Sequence, residues 1–213
     1  MTDSARVPQT YRVILVRHAR SQVDAARPAY AWGLADEGRA GARRLAALAL
    51  FGHAGGFYAG PEPKMIDTLV PVAAEYAQEV QTDPAFAESH SEGWLGPEAF
   101  LATVQRFFTS PDQPPAPGWE PATEAAARFA AGITRLRERH PPVRHPGHTL
   151  PGTFAVASGG RALTAYLGTL LGYTAEEAFA AWRQLQMPDL AVLGLSAIAP
   201  PHLVIPFGTL APA

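Results

Sequence analysis

The chain has no cysteine, so neither a disulfide nor a thiolate metal site contributes to its stability or its chemistry. It also has almost no lysine: of 17 basic residues, 16 are Arg, and Lys64 stands alone. A strong excess of either charge is missing as well. The formal net charge of −2 gives no global attraction to nucleic acid or to an anionic membrane, so neither is an expected partner. Any anion must be held by a local cluster. Long apolar runs are absent too. The longest, from Leu190 to Phe207, is broken by Pro200, Pro201 and His202 and reads as two short strands around a turn, so no membrane span is expected. The opening MTDSARVPQTYR lacks an apolar stretch of signal-peptide type, and a cytoplasmic location is the default expectation.

What is present fits one α/β domain of 213 residues. Residues 1–10 read as a loose tail and 11–213 as the domain. Arg12 to Val16 is a short β-branched run, the mark of a strand buried on both faces, and it stops at Arg17 and His18. Asp36 reads as the N-cap of a helix that Gly52 ends. A strand at about 56–59 follows, then a helix over 64–80 bent at Pro71. Residues 97–122 combine the amphipathic EAFLATVQRFF with the proline-dense SPDQPPAPGWEP, which suggests a cap or lid insertion. A helix over 123–139 leads through a turn-rich connector to the strand TFAVA, the turn SGGR and a helix ending at Gly172. The last strands fall at 190–196 and 202–206. Strands alternating with helices predict an α/β three-layer sandwich with a mostly parallel central sheet.

Ligands of such sheets bind at the carboxyl ends of the strands, where Arg17 and His18 stand. The strand, glycine turn and helix of TFAVASGGRALTAY would add free backbone N–H groups and a helix dipole on the same rim, at Gly159, Gly160 and Arg161. By itself that element also reads as a plain tight connection.

Five blocks together resemble the histidine phosphatase (phosphoglycerate mutase-like) superfamily. LVRHARSQVD is similar to its Arg-His-Gly-x-Thr signature, and LADEGRAGARRLA to the helix start that follows. AGPEPKMIDTLVPVA resembles the stretch that carries a second arginine, with Thr68 and Pro71 in register. FAESHSEGWLG aligns Glu88, Trp94 and Gly96, and FAVASGGRALTAYLGTLLG aligns Ser158. The resemblance implies the phosphoglycerate mutase-like fold and a phosphohistidine intermediate. His18 would be the nucleophile and Glu88 the general acid, its pKa raised by burial. Arg17, Ser21, Lys64, Gly159, Gly160 and Arg161 would hold phosphate, without cofactor or metal.

The departures from the family pattern fall inside the pocket. Gly159 stands where the family has its second histidine, Lys64 where it has its second arginine, and Asp24 where an Asn is usual, so an anion would be repelled there. Arg161 either fills the space left by the imidazole or points to solvent, and His90 either approaches the pocket or does not. Two functions are therefore expected in competition. One is a slow or specialised phosphomonoesterase; the other is an inactive relative that binds a small phosphorylated or anionic ligand or a protein partner. A homodimer is left open.

Overall fold

The computed structural model describes residues 10–93, 95–146 and 148–209. Its first strand, β1 (Thr10–Arg17), lies inside a six-stranded sheet with β2 (Phe57–Ala59), β3 (Val80–Thr82), β6 (Gly152–Ser158), β7 (Asp189–Ser196) and β8 (His202–Ile205), in the order β3-β2-β6-β1-β7-β8. The pairs β3–β2, β2–β6 and β6–β1 are parallel, and only β7 runs against its neighbours. β4 (Val143–His145) and β5 (His148–Leu150) form a separate hairpin. The mostly parallel three-layer α/β arrangement expected from the sequence is present.

Alternation along each strand explains the layers. Tyr11, Val13, Leu15, Phe154, Val156 and Leu193 face a core closed by α4 (Ala122–Arg139) and α5 (Gly160–Leu171). Ile14, Val16, Phe57, Ala155, Ala157 and Leu190 face the opposite core, which includes Leu45 of α1 (Asp36–Ala46) and Met65, Leu69 and Val72 of α2 (Pro63–Glu75). Both faces of β1 and β6 are thus covered, which is why they read as unbroken apolar runs. A third cluster joins α3 (Pro97–Thr109) to Trp119, α4, α5 and α6 (Ala175–Gln184). Part of the segment expected to act as a cap is therefore a packed helix.

Several boundaries differ from expectation. Asp36 is the first residue of α1 and not its cap, which is Ala35, and α1 stops at Ala46 before a 3₁₀ turn at Ala49–His53 that contains Gly52. The helix expected to reach residue 80 ends at Glu75. Ala77 has a positive φ of 53°, and the chain reverses there into β3, where Val80 pairs with Phe57. Neither α6 nor the β4–β5 hairpin was expected: the first carries a Thr174–Glu177 capping box, and the second is only three residues per strand. The tail expected at 1–10 falls, apart from Thr10, outside the described residues, as does Trp94. Among the described residues, no helix is long and apolar enough to cross a membrane.

Phe86 has no exposed surface and meets Phe129 of α4 edge-on at 5.0 Å. Phe86→Ala is expected to cost about 3–5 kcal/mol in a urea unfolding titration. A loss below about 1 kcal/mol would show that this joint does not hold α4 to the strand ends.

Candidate active site

β1 delivers Arg17 and His18 to the carboxyl rim of the sheet, and three hydrogen bonds fix the turn that follows. The His18 N–H donates to Ser158 O at the end of β6 (3.1 Å). The Ala19 N–H donates to Thr68 Oγ1 (2.9 Å), and that hydroxyl donates to Lys64 O (2.6 Å), tying the turn to α2. His18 is 8% exposed and its Nδ1 lies 2.8 Å from Ala19 O. A carbonyl only accepts, so Nδ1 carries the proton. When the ring is neutral, the Nε2 lone pair is bare. Burial, with Lys64 and Arg17 nearby, pushes its pKa down to about 4 against the backbone bond to Ala19 and the charge of Glu88, so the ring is neutral at pH 7.

A cavity of about 750 Å³ opens beside this ring. Arg17, His18, Ser21, Lys64, Glu88 and Arg161 all line it, so the imidazole shares one hollow with the cations at 17 and 64. Glu62, Ser89 and a wall of Tyr30, Trp32, Phe100, Trp119 and Trp182 complete the lining relevant here. Buried polar atoms normally have partners. Five such side-chain atoms have none among the described residues, and four of them, Arg17 Nε, Glu62 Oε2, Ser89 Oγ and Arg161 Nη1, belong to residues of this cavity.

Each cation is anchored by part of its donor set. Arg17 donates through Nη1 to Leu185 O (2.6 Å). Its guanidinium lies against Gly160, where a Cβ would stand 3.0 Å from Nε and the guanidinium would have to give by a few tenths of an ångström. Lys64 is buried, donates from Nζ to Ala29 O (2.7 Å) and sits 5.8 Å from the centre of the Trp32 ring. Arg161 does not point to solvent. It is buried, stacks 4.5 Å over Trp119, and donates from Nη2 to Ser89 O (2.9 Å) and Ser91 Oγ (3.3 Å). Burial lowers the pKa of all three, and Glu88 counters it in each case.

The start of α5 differs from the sequence expectation. Its free N–H groups, expected to receive phosphate near Gly159 and Gly160, already hold a carboxylate. Glu88 accepts from Ala162 N–H (2.9 Å) and Ser89 N–H (2.8 Å) through Oε1, and from Arg161 N–H (3.3 Å) through Oε2. The Arg161 guanidinium lies 3.8 Å away. A Cβ on Gly159 would overlap this carboxylate, so Glu88 occupies the space where a side chain at 159 would begin. Burial alone would raise its pKa. Arg161, the two backbone donors Ala162 and Ser89, and Lys64 outweigh burial, so the pKa is lowered, contrary to the raised value expected of an acid.

Asp24 does not repel an anion in the pocket: it is exposed, and its carboxylate accepts from Ala26 N–H (2.9 Å). His90 is exposed at the rim, with Nε2 3.7 Å from Glu92. Glu62, Ser89 and the aromatic wall carry no motif that marks them in the sequence. The one available signal was a carboxylate between two prolines in AGPEPK, directly before the lone lysine.

The sequence profile of the histidine phosphatase superfamily (branch 1) matches residues 13–195, and the chain belongs to that family. It is therefore grouped with hydrolases acting on phosphate esters. No curated protein matches the sequence. Among solved structures, the fold is shared with a mycobacterial glucosyl-3-phosphoglycerate phosphatase (17% identity, TM-score 0.74, covering 92% of this chain and 98% of that one). It is also shared with YhfR of Bacillus stearothermophilus (16%, TM-score 0.71, 92% and 96%). A third is a phosphoserine phosphatase mutant from Entamoeba histolytica in complex with phosphoserine (15%, TM-score 0.64, 93% and 97%).

The unfolded chain takes up a proton on His18 near its ordinary pKa of 6.5, while the folded protein refuses it until about 4. Stability is thus full above that window and falls as pH drops through it, by about 3 kcal/mol. His18→Gln should remove this part of the slope in urea titrations; an unchanged slope would show that the ring is not held neutral. Gly159→His must displace Glu88 from three N–H donors and is expected to cost about 1–3 kcal/mol without raising phosphatase turnover. Higher turnover at unchanged melting temperature would contradict this.

Proposed function

We propose that the protein is a phosphomonoesterase that works through a phosphohistidine on His18. One observation carries this reading: a neutral imidazole with Nδ1 committed to Ala19 O shares its cavity with two guanidinium groups that each keep an N–H without a partner among the described residues. A bare Nε2 is a competent nucleophile. Fixed N–H donors suit the charge spread over a transferring phosphoryl group, and water-poor surroundings strengthen them. Arg17 and Arg161 are the donors in this reading, Lys64 adds charge, and Ser21 offers its hydroxyl at the rim. Arg161 supplies a donor in place of the imidazole missing at 159, while Glu88 fills the space beside Gly159. Because Arg161 acts from a different position than that imidazole, the replacement is incomplete, and losing one well-placed donor costs up to about 10²–10³ in rate, so turnover is slow. The aromatic wall suits an ester whose alcohol part presents apolar surface.

Glu88 also supports a second reading. A carboxylate bound to the start of α5 leaves a pocket suited to holding an anion without turning it over. One experiment separates the two: radiolabelled p-nitrophenyl phosphate is mixed with enzyme and quenched rapidly in alkaline denaturant. The phosphatase reading predicts a labelled phosphohistidine in the wild type, with label and turnover both at background in His18→Ala. Saturable phosphate binding without turnover or label, lost in Arg17→Ala, would replace it with the binding reading.

A further inference from the structure

A cavity of about 750 Å³ is far larger than a phosphoryl group fills and lies in the range of pockets that enclose a small organic molecule. The phosphoryl group accounts for His18 and the cations, so the rest of the lining meets the alcohol part of an ester. Rings stand directly beside those cations. The Lys64 ammonium is 5.8 Å from the centre of the Trp32 ring. The Arg161 guanidinium is 4.5 Å from the centre of Trp119 and 5.8 Å from that of Phe100 on α3. Phe100 joins a cluster, its ring centre 6.1 Å from that of Trp119 and 6.2 Å from that of Trp182 on α6.

These rings offer faces more than hydrogen bonds. Trp32 spends its indole N–H on Asp24 O (2.9 Å) and Arg27 O (3.1 Å), and Trp119 donates to Glu92 O (3.1 Å). An alcohol rich in hydroxyls would exchange water for surfaces that return few hydrogen bonds. A second anionic group fares no better. Arg128 also lines the cavity, but its Nε and Nη2 donate to Glu120 and its Nη1 to Ala85 O. Arg20 is exposed at the rim, where an ion pair in water is weak. A flat apolar ring is what this lining rewards, because aromatic pairs attract each other beyond the area they bury. The mouth points the same way. Val23 (60% exposed), Tyr30 (59%), Met187 (37%) and Phe100 (36%) all line the cavity, an apolar rim of the kind that a ligand covers.

We propose that the substrate is a small phosphomonoester whose alcohol part is a flat, uncharged aromatic ring system stacked on Phe100 and Trp182, an inference that rests on the phosphomonoesterase reading. Phe100 and Trp182 then decide which ester is seated, and His18 attacks the phosphorus of the ester they hold.

The test uses three phosphates of primary alcohols, so that the leaving oxygens are alike: 2-naphthylmethyl phosphate, cyclohexylmethyl phosphate and glucose 6-phosphate. The kcat/KM of the naphthylmethyl ester should exceed that of the cyclohexylmethyl ester by about tenfold, and that of glucose 6-phosphate by about a hundredfold or more. Phe100→Leu and Trp182→Leu each keep an apolar side chain and remove a ring face. Each should raise KM for the naphthylmethyl ester by about three- to tenfold, change its kcat by less than about twofold, and shrink its advantage over the cyclohexylmethyl ester. Similar kcat/KM for the naphthylmethyl and cyclohexylmethyl esters, a preference for glucose 6-phosphate, or a ratio that neither substitution moves would overturn the aromatic subsite and leave the phosphatase intact.

A second measurement needs neither the variants nor turnover. 2-Naphthylmethylphosphonate carries a P–C bond that the enzyme cannot hydrolyse, and calorimetry on the wild-type protein should give it a Kd about tenfold below that of cyclohexylmethylphosphonate. Equal Kd values would overturn the subsite even where the variants fail to fold. Wild-type protein that turns over none of the three esters and traps no phosphohistidine would overturn the phosphatase reading, and the substrate assignment with it, whatever the phosphonates show.

Discussion

A single hydrogen bond, from His18 Nδ1–H to the carbonyl of its neighbour Ala19, sets the chemistry of this pocket. It fixes the tautomer and turns Nε2 into the free nitrogen. Burial beside Lys64 and Arg17 then keeps the ring uncharged. The bond depends in turn on where Ala19 lies, and that is set by Thr68, which accepts the Ala19 N–H and donates to the chain of α2. A threonine hydroxyl inside a helix thus holds the turn that orients the imidazole. The ring is active in this account because the sheet end, the helix and the turn agree on one geometry.

The same pocket concentrates unmet polar demand. Leaving a buried donor or acceptor without a partner costs about 1–3 kcal/mol, and four residues of one cavity carry such atoms. The remainder of the molecule shows why this is tolerated. Two apolar cores sandwich β1 and β6, and a third packs α3 and α6 behind the aromatic wall. An oxyanion that meets the idle N–H groups of Arg17 and Arg161 would recover in binding what folding left unsatisfied. At the start of α5 the demand is met internally by Glu88, so the helix dipole that would otherwise draw a ligand anion is already engaged. The glycine at 159 makes room for that exchange, and the glycine at 160 eases the close approach of Arg17 to the start of the helix.

Much of this was legible in the sequence because it depends on local pattern. The apolar run before Arg17, the strand TFAVA and the helix ending at Gly172 each carry their own periodicity and stop signals, and all three stand where they were expected. Arg17, His18 and the glycine turn before α5 could be placed on one rim because they follow strand ends, whereas Lys64 joined them only through the family resemblance and Arg161 was left between pocket and solvent. What escaped depends on contact between distant segments. Nothing near Glu62 announces that Oε2 is sealed from water, since Glu88, Lys64 and Arg161 come from separate stretches of chain. The lowered pKa of Glu88 was missed because burial, the only influence visible beforehand, acts in the opposite direction. Asp24 was misread because register places it at the pocket while the backbone turns it outward to Ala26. The reversal at Ala77, which cuts α2 short, needs a left-handed alanine that no propensity suggests.

The phosphatase reading stands or falls on whether Nε2 of His18 is the atom that meets phosphorus, with Arg17 and Arg161 around the phosphoryl oxygens. A crystal structure of the protein soaked with vanadate measures this directly. Vanadium is expected to bond to Nε2 of His18, with the vanadate oxygens held by the guanidinium groups of Arg17 and Arg161. Vanadate bound elsewhere in the cavity with the ring unengaged, or no vanadate in the cavity at a concentration that saturates a phosphatase, would contradict it.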